Sequence, residues 1–505
     1  MTAELLPPMS QSFPDASLPD AARAALVARL GPRGFVTDAE RIAPWLTDWR
    51  GRFHGKAAAL IEPGSVDQLS AALAIAHAHR LPVVPQGGNS GMSAGATPDA
   101  SGAMLLLSLR RLNAVGPVDG RGRMAAGAGA ILQHVQEAAE AAGRRFPLTL
   151  GGRGSATVGG LIATNAGGTQ VLRHGTMRAQ VAGLDVVLAD GRRLDLMAEL
   201  PKDNRGFDPR ALFIGSEGTL GIVAAARLRT VPALVDRAVG WAGTDSPTAA
   251  ARLLDLAERQ VARALEGFEI VPDESLAAVL RHIPGTRTPL AGRHRWHVLV
   301  ELVRDDPDAT APQAMLERLL SEALGAGMIA DATVAPSEAA AEAFWKLRDS
   351  ISEAERAEGP AVQHDISVQV AAMPRFIEAA VAAVEARFPG TAARAFGHLG
   401  DGNVHFHVRA PAGVAPGAFY RDAAAPISRF VHDLVIAEGG SISAEHGIGR
   451  MKQAEHLRTT DPVRLAVLAG VKAALDPHGI LNPGVLVPSS PDIAAAALAS
   501  PRAGT

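Results

Sequence analysis

The chain has 505 residues, of which 47% are hydrophobic and 20% are charged, and its formal net charge at pH 7 is −3. Because this length exceeds what one hydrophobic core supports, we expect two or more domains. The near-neutral charge disfavours nucleic acid and anionic membrane surfaces as partners, and the absence of cysteine excludes disulfides, iron–sulfur clusters and thiol nucleophiles. The sequence has no apolar run long enough to cross a bilayer and no signal-peptide pattern at its start, so we expect a cytoplasmic protein.

The first part of the chain predicts an α+β domain preceded by a short lead-in. Residues 1–40 are predicted to form this lead-in and one helix, which ends at Gly31-Pro32. In residues 41–232 short apolar strands alternate with helices, and this range is the first predicted domain. Ser65 is the predicted N-cap of its clearest helix, and Asp190-Gly191 is the predicted turn of a β-hairpin.

A second domain is predicted over residues 233–450, where alternating strands and helices indicate a sheet covered by helices. Its longest predicted helix covers residues 337–357. Residues 451–488 predict a helix followed by a turn, and residues 489–505 predict a frayed tail. The fold class predicted for the chain is α+β.

Two glycine-rich segments point to a bound nucleotide. They cover residues 85–96, directly after a strand, and residues 151–168, and both have almost no charge. Backbone N–H groups in such loops form concave nests for phosphate oxygens, and two nests suit a pyrophosphate better than one. Neither segment matches a Walker loop or the G-x-G-x-x-G fingerprint, so a Rossmann domain is not expected. One cluster alone could equally contain ordinary turn glycines; two, followed by "FIGSEGTLGIVAAA", favour the nucleotide.

Three histidines, His398, His405 and His407, flank one Gly-Asp-Gly-Asn turn. Strand, short turn and strand would place His398 beside His405, and His405 and His407 would share one strand face. Glu445 in "SAEHGIG" could add the negative ligand that a metal held by two imidazoles needs. The residues alone leave two interpretations open: a metal site, or solvated histidines on a surface hairpin.

Eight motifs occur in an order that is similar to one known family. The segments "PQGGNSGMSAGA", "GGRGSATVGGLIATNAGG", "RHGTMRAQVAGLDVVLADGRRL" and "GSEGTLGIV" resemble the FAD domain of the vanillyl-alcohol oxidase superfamily. With "WKLRDSISEA", "GHLGDGNVHFHV", "SAEHGIGRMK" and "LDPHGILNPG", the chain resembles the FAD-linked D-2-hydroxyacid dehydrogenases over residues 49–486. That group includes D-2-hydroxyglutarate dehydrogenase, D-lactate dehydrogenase and a glycolate oxidase subunit. The resemblance implies a two-subdomain FAD-binding domain, a substrate domain with an antiparallel sheet, and a C-terminal segment that returns to the flavin.

The resemblance also implies which residues hold FAD. The pyrophosphate would contact Pro85, Gly87, Gly88, Asn89, Ser90 and Gly91. The ribityl chain and the isoalloxazine ring would contact Gly151, Ser155, Gly159, Gly160, Ala163 and Asn165. Ile222 and Val223 would lie on the adenine side, and Asn482 would close the flavin site. Because neither the first loop nor "GGRGSATVGG" contains a histidine or cysteine, we expect the FAD to be non-covalent.

The same resemblance implies the catalytic groups. His398, His405 and Glu445 would bind a divalent metal, zinc first, with manganese, iron and cobalt as alternatives. His446 would be the general base, and Arg348 would hold the substrate carboxylate through its planar guanidinium fork. Ser352, on the same helix face four residues after Arg348, together with Gln363 and His407, would complete the substrate site. Alternatively, His446 would only orient Glu445 or the flavin, and Arg348 would form a surface ion pair with Asp349 or Glu353.

Two positions depart from the family pattern. Relatives that act on 2-hydroxyglutarate typically have lysine where Gln363 stands, and many have asparagine where His407 stands. Neighbouring His364 could replace the lost cation. These differences leave the tail of the acid open between 2-hydroxyglutarate-like and lactate-like.

The implied reaction is oxidation of a D-2-hydroxy acid to the 2-oxo acid by hydride transfer to flavin N5, assisted by the metal, with His446 as base. Electrons would pass to an electron-transfer flavoprotein, a quinone or a cytochrome, and the protein could form a homodimer. Three alternatives are a flavin oxidase of the same fold acting on another alcohol, a metal-dependent hydrolase using two histidines and a glutamate, and a non-catalytic nucleotide-binding module.

Overall fold

The computed structural model describes residues 18–200 and 202–487, so the predicted tail and most of the predicted lead-in lie outside the described residues. The first part of the chain contains, in order, α1 (Asp20–Gly34), β1 (Phe35–Val36), α2 (Ala39–Ile42), β2 (Ala59–Ile61), α3 (Val66–Ala78), β3 (Val83–Gln86), β4 (Leu105–Ser108), β5 (Val115–Val118), β6 (Arg123–Gly127), α4 (Leu132–Glu140), β7 (Arg144–Arg145), α5 (Val158–Thr164), α6 (Val171–His174), α7 (Met177–Gln180), β8 (Val181–Val187), β9 (Arg193–Leu196), α8 (Arg210–Phe213), β10 (Ile222–Arg229) and β11 (Val231–Pro232).

The second part contains, in order, β12 (Asp236–Thr244), α9 (Pro247–Val261), β13 (Leu265–Pro272), α10 (Asp273–His282), β14 (Trp296–Arg304), α11 (Pro312–Gly325), β15 (Asp331–Val334), α12 (Glu338–Asp349), α13 (Ile351–Ala357), β16 (Ala361–Ser367), α14 (Met373–Arg387), β17 (Ala392–His398), β18 (Asn403–Arg409), α15 (Pro416–Asp422), α16 (Ala424–Ala437), α17 (Gln453–Thr459) and α18 (Pro462–Leu475). Short 3₁₀ turns cover Ala43–Trp45 and Val370–Ala372. None of the described helices combines the length and the hydropathy needed to span a bilayer.

Two small sheets share one hydrophobic core in the first part of the chain. One has the order β1-β2-β4-β3 and the other the order β5-β6-β10-β8-β9. β2 and β3 both run parallel to β4, whereas the five-stranded sheet is antiparallel throughout. The first glycine segment continues from β3 where that strand ends at Gln86, and the second glycine segment leads into α5. Both predicted nests therefore lie at the ends of regular elements of this core.

Local sequence signals in this region are confirmed. Ser65 caps α3 by accepting a hydrogen bond from the Gln68 N–H, and the β8–β9 hairpin turns at the predicted Asp190-Gly191. Helical geometry in α1 is interrupted at Gly31, whose φ of +67° glycine adopts at little cost. The predicted helix stop therefore appears as a break, with the chain continuing one further turn.

The second part of the chain forms one seven-stranded antiparallel sheet in the order β15-β12-β14-β13-β17-β18-β16. Helices α9, α11, α14 and α16 bury one face of this sheet, and α10, α12 and α13 cover part of the other face. The fold is α+β, and its antiparallel substrate-domain sheet is the one the resemblance implied. The partly covered face is the one that meets the first domain, and it carries the polar residues described below.

The prediction of a single helix over residues 337–357 is wrong. This segment is divided at Ser350 into α12 and α13. Asp349 and Ser350 are weak helix formers because their short polar side chains compete for backbone hydrogen bonds, which accounts for a break at this point. Arg348 and Ser352 therefore belong to different helices, and the four-residue spacing of one continuous helix does not describe their relation.

The C-terminal segment returns to the first domain and pairs with β3 through a short parallel bridge. The Val83 N–H donates to the Ile480 carbonyl, and the Asn482 N–H donates to the Val83 carbonyl, each at 2.8 Å. The buried Lys472 ammonium fixes the segment through bonds to Thr219 O, Leu481 O and the Asp476 carboxylate. Asn482 is thereby placed next to the first glycine segment.

Glu266 joins the two domains through a buried charge cluster. Its carboxylate accepts from Arg145 at 2.7 Å and from Arg173 at 3.1 Å, both in the first domain, while Glu266 itself is 2% exposed. Burial acts to raise the pKa of Glu266, but the hydrogen bonds from these cations hold it well below its usual range. The cluster therefore fixes how the two domains meet.

We expect Glu266→Gln to lower the free energy of unfolding by about 3 kcal/mol at neutral pH, because it leaves the largely buried Arg145 without a counter-charge, while Arg173 keeps only Asp305. Since the folded pKa is depressed, the wild-type stabilisation is present above the unfolded value of 4.5 and is lost as the pH falls below it. Urea titrations at pH 7 and pH 4 measure both effects. Glu199→Gln is the matched control, because Glu199 joins two arginines at a more exposed position and should cost under about 1 kcal/mol. Equal losses for both variants would contradict the structural role of Glu266.

Candidate active site

The site is built on every second residue of β16, β18 and β17. Across these strands Asp365 pairs with His405 and His405 with Phe396, and one row further Asn403 pairs with His398. Because side chains alternate along a strand, these residues share the sheet face that is turned toward the first domain. Polar residues replace the apolar ones expected of a buried sheet face, which is typical of a binding site.

The structure brings the three predicted metal ligands together. His398 and His405 are diagonal neighbours across the hairpin, with ring centroids 5.7 Å apart. One nitrogen from each and a carboxylate oxygen of Glu445 lie within 4.8 Å of one another. Ligands about 2.0–2.2 Å from a shared zinc ion have separations of this order, so the donor set fits a divalent cation. Asp365, Glu445 and His446 form a second group of this kind, but the Asp365 carboxylate is already engaged, as described next.

Two buried carboxylates, one from each domain, hold the loop that carries Glu445 and His446. Asp365 Oδ2 accepts from the backbone N–H groups of both residues at 2.9 Å. Glu217, from the first domain, accepts from the N–H groups of Ile448 and Gly449 at 2.8 and 2.7 Å. Neither carboxylate was predicted. The only local signal for Asp365 is that a charged residue stands inside an apolar strand. The only local signal for Glu217 is its position in "GSEG", where Glu217 adopts a φ of +52°.

The protonation of the ligand set reflects its burial. Burial alone would lower the pKa of His398, but Glu269, Asp401 and Glu445 together outweigh it and raise the value to about 9. Burial, with Arg348 and His398 as neighbouring positive charges, lowers the pKa of His405. Burial raises the pKa of Glu445 above its usual range. A cation bound here would have to displace the proton of His398 and would then supply positive charge to this set.

His446 is poised as a neutral imidazole. Burial lowers its pKa to about 4, although the nearby Asp365 carboxylate acts in the opposite direction. Its Nδ1 lies 3.4 Å from Asp365 Oδ2, and its side chain keeps 25% exposure. A neutral, accessible ring nitrogen can accept a proton, and Asp365 would then stabilise the imidazolium.

Arg348 presents one free edge of its guanidinium. Its Nε donates to Glu269 Oε2 at 2.8 Å, and its Nη2 is buried with no acceptor among the described residues. Glu269, which is 1% exposed, was not predicted. Since a buried donor without a partner is costly, this edge fits an incoming carboxylate.

The other three predicted substrate contacts, Ser352, Gln363 and His407, differ in how deeply they are buried. Ser352 is exposed on α13, and Gln363 is partly buried beside His407 in the sheet. His407 is buried, and its Nδ1 lies 2.6 Å from the unpredicted Glu355. His364 cannot replace a cation at Gln363, because its ring lies on the opposite sheet face, bonded to Phe406 O and Ser428 Oγ. That hypothesis is wrong because neighbouring strand residues point to opposite faces.

The first glycine loop has the free donors that a pyrophosphate requires. Within the described chain, the backbone N–H groups of residues 87–91 have no protein acceptor. Asn89 adopts a φ of +53°, the left-handed conformation typical of an anion nest. A Cβ atom on Gly88 would overlap the carbonyl oxygen of Ser155, so the two glycine loops lie directly against each other. Open space remains at Gly91 and Gly151, where an added Cβ would meet no atom within 4 Å.

Two buried acceptors add to this fit. Thr157 Oγ1 and Asn482 Oδ1 have no hydrogen-bond partner among the described residues. The Asn482 amide nitrogen donates to Gly95 O and Glu217 O, which orients its free oxygen. Residues with these properties suit a large polar ligand such as FAD.

The remaining predicted cofactor residues have structural contacts of their own. Gly159 and Gly160 lie in α5, and Asn165 ends that helix and accepts from Thr176 Oγ1 and from the Arg178 N–H. The Ala163 carbonyl accepts from the Glu217 N–H at 2.8 Å. Ile222 and Val223 are buried in β10.

The glycine segments face the histidine cluster. A Cβ atom on Gly167 would lie 3.5 Å from Glu445 Oε1. Ser93 Oγ donates to the Gly447 carbonyl at 3.0 Å, and the Arg450 N–H donates to the Ser93 carbonyl at 3.0 Å. The loop with Glu445 and His446 thus lies between the nucleotide nests and the sheet with the imidazoles.

Two family models match this chain. "FAD linked oxidases, C-terminal domain" matches residues 234–486, and "FAD binding domain" matches residues 57–197. The chain belongs to the FAD-linked oxidase family. As a member of that family it is an FAD-dependent oxidoreductase, and the glycine nests lie within the range of its FAD binding domain.

Curated relatives of this FAD-linked oxidase are similar over most of their length. D-2-hydroxyglutarate dehydrogenase of Xanthomonas citri pv. viticola is 37% identical over 87% of this chain and 91% of the relative. The mitochondrial D-2-hydroxyglutarate dehydrogenase of Arabidopsis thaliana is 33% identical over 91% of this chain and 80% of the relative. The enzyme of that name from Stutzerimonas stutzeri is 32% identical over 90% of this chain and 96% of the relative.

Solved structures support the fold of this FAD-linked oxidase. Alkyldihydroxyacetonephosphate synthase superposes with a TM-score of 0.68 at 15% identity, covering 95% of this chain and 88% of that chain. p-Cresol methylhydroxylase with substrate bound has a TM-score of 0.69 at 14% identity, covering 92% and 96%. At these identities the likeness establishes shared architecture.

Proposed function

We propose that this FAD-linked oxidase oxidises a D-2-hydroxy acid, of the 2-hydroxyglutarate or lactate type, to the 2-oxo acid. The observation that carries the proposal is the free guanidinium edge of Arg348 beside the imidazole and carboxylate cluster of His398, His405 and Glu445. A 2-hydroxy acid offers a carboxylate and a hydroxyl on adjacent atoms, which matches a cation next to proton-accepting groups. The relatives named D-2-hydroxyglutarate dehydrogenase support the same class of substrate.

The proposed roles of the residues follow from their contacts. Arg348, oriented by Glu269, binds the substrate carboxylate through its unpaired Nη2. His446 takes the hydroxyl proton, and Asp365 stabilises the imidazolium that results. FAD, held without a covalent bond by the two glycine loops, supplies the two-electron acceptor for the C2 hydrogen. A divalent cation on the three ligands would supply a Lewis acid for the hydroxyl group.

Both alternative enzymes leave part of the site without a role. A metal-dependent hydrolase has no use for the free N–H groups of residues 87–91 or for the two packed glycine loops. An oxidase acting on a simple alcohol has no use for the free edge of Arg348. Rapid formation of hydrogen peroxide in air would favour an oxidase; slow formation is expected here, with an electron-transfer flavoprotein, a quinone or a cytochrome as acceptor.

Anaerobic titration of the yellow purified protein with D- and L-2-hydroxy acids tests the proposal. We expect D-enantiomers to bleach the flavin absorbance near 450 nm and L-enantiomers to leave it unchanged, because Arg348 and His446 fix the carboxylate and hydroxyl on defined sides of C2. A protein that contains flavin but is reduced by neither series would contradict the proposed function. A colourless protein would contradict the cofactor assignment itself.

A further inference from the structure

The loop that carries Glu445 and His446 is held by both domains, and the holding domain changes directly after His446. Asp365, in the second domain, accepts from the backbone N–H groups of Glu445 and His446 at 2.9 Å. Residues 447–451 bond to the first domain, where Ser93 contacts their backbone through both its hydroxyl and its carbonyl. His446 therefore stands where the loop passes from one domain to the other.

Glu217 provides the charged contact from the first domain. Its carboxylate oxygens accept from the N–H groups of Ile448 at 2.8 Å and Gly449 at 2.7 Å, and the residue is 8% exposed. A Cβ atom added to Gly447 would lie 3.0 Å from Glu217 Oε1, and one added to Gly95 would lie 3.2 Å from Oε2. The carboxylate is thus enclosed between the loop and the first glycine segment.

The backbone of Glu217 is fixed on the flavin side of the site. Its N–H donates to the Ala163 carbonyl at 2.8 Å, and its carbonyl accepts from Asn482 Nδ2 at 2.7 Å. Ala163 and Asn482 are both among the residues predicted to contact the flavin. These bonds hold Glu217 at a φ of +52°, which is uncommon for a glutamate. One residue therefore connects the predicted flavin contacts, through its backbone, to the catalytic loop, through its side chain.

The bonds of Glu217 to the loop have the pattern of an ionised carboxylate, because both oxygens act as acceptors. Burial raises the pKa of Glu217, and the two backbone N–H groups and the charge of Lys452 act in the opposite direction. Charge-assisted hydrogen bonds are shorter and stronger than neutral ones. This pair of bonds is therefore well suited to fix the position of the loop.

We infer that Glu217 is the positioning residue that sets His446 relative to the flavin. This rests on the proposed function, in which His446 takes the hydroxyl proton while the C2 hydrogen passes to FAD. Arg348, bound by Glu269, holds the substrate from the second domain, whereas the glycine loops for FAD belong to the first. The base must match groups on both domains, and Glu217 supplies the first-domain contact that Asp365 cannot. A misplacement of about 1 Å can cost about 100-fold in rate.

Glu217→Gln tests this role, because it keeps the size of the side chain but turns an amide NH₂ toward one of the two loop N–H groups, so that one bond is lost. The holoenzyme is mixed anaerobically with D-2-hydroxyglutarate or D-lactate, whichever reduces the wild-type flavin. We expect the limiting rate of flavin reduction to fall about 50-fold and the dissociation constant of the acid to change less than threefold. The solvent deuterium isotope effect on this rate should rise, because proton transfer to a displaced imidazole becomes slower. Glu217→Asp, which keeps the charge, should recover part of the rate.

Asp48→Asn is the matched control. Asp48 is a first-domain carboxylate that is 4% exposed and likewise accepts from backbone N–H groups, those of Arg50, Arg52 and Phe53. The residues that it holds have no proposed catalytic role. We therefore expect Asp48→Asn to change the limiting rate less than threefold and to leave the solvent isotope effect at the wild-type value.

Flavin and metal content separate positioning from a loss of folding. Both should stay unchanged in Glu217→Gln, because the bonds from Asp365 to the backbone of Glu445 and His446 remain. The inference is overturned if the rate per flavin stays parental, falls with no rise in the solvent isotope effect, falls no further than in Asp48→Asn, or falls together with the metal content. In all these cases the wild type still reduces its flavin, whereas failure of the proposed function is a wild-type flavin that neither acid reduces.

Discussion

Replacing His446 with glutamine is expected to slow flavin reduction by a D-2-hydroxy acid about 1,000-fold, within the range that general bases contribute. The pKa of His446 lies at about 4, so the imidazole is neutral and can accept the hydroxyl proton, which a glutamine amide cannot do. Stopped-flow mixing under anaerobic conditions measures the rate directly from the loss of flavin absorbance.

The loop with Glu445 and His446 should keep its conformation in His446→Gln, so a slower reaction can be attributed to the lost imidazole. Asp365 holds the backbone N–H groups of Glu445 and His446, not the imidazole, so His446→Gln preserves both anchoring bonds. Substrate affinity, which depends on Arg348, should change less than about threefold. His478→Gln is the matched control, because His478 is exposed and outside the site. A parental rate of flavin reduction in His446→Gln would remove His446 from the proposed mechanism.

The sequence predicted those features that depend on neighbouring residues. The cap at Ser65 and the placement of His398 beside His405 follow from local patterns that no distant contact changes. The break at Ser350 was missed because the helical pattern on both sides continues through it. The error at His364 was avoidable: it alternates with Gln363 along one strand, so the two side chains could not share a face.

The partners of the predicted site residues were much harder to find. Glu269 orients Arg348 from 79 positions earlier in the chain, and Glu217 holds the loop after His446 from more than 230 positions earlier. A carboxylate at such a distance has no sequence signal that links it to its partner, because the link exists only once the second domain has folded for Glu269, and once the two domains have met for Glu217. Motifs identify the groups that contact substrate, whereas the residues that orient those groups require the structure.

Loss of the proposed metal ion is expected to have the second large effect on flavin reduction. Removal of the metal by a chelator such as dipicolinate should lower the rate of flavin reduction about 100-fold or more, because a Lewis acid stabilises the charge that develops on the substrate oxygen. Added Zn²⁺ or Mn²⁺ should restore the rate. The flavin should stay bound throughout, since the nests formed by residues 87–91 contain no metal ligand. Metal content per flavin and the rate of flavin reduction are the two measurements.

Glu445→Gln separates the metal from other effects of the loop. The substitution keeps the backbone N–H that donates to Asp365, but a neutral amide is a poor ligand for a hard divalent cation, so both metal content and rate should fall together. His364→Gln is the matched control, because His364 is a buried histidine of the same sheet on its opposite face and should leave the metal content unchanged. If Glu445→Gln lost its metal and still reduced its flavin at the parental rate, Arg348 and His446 alone would have to account for the chemistry. The cluster of His398, His405 and Glu445 would then serve to orient the substrate hydroxyl by hydrogen bonding, with the proton on His398, whose pKa is about 9, as the donor.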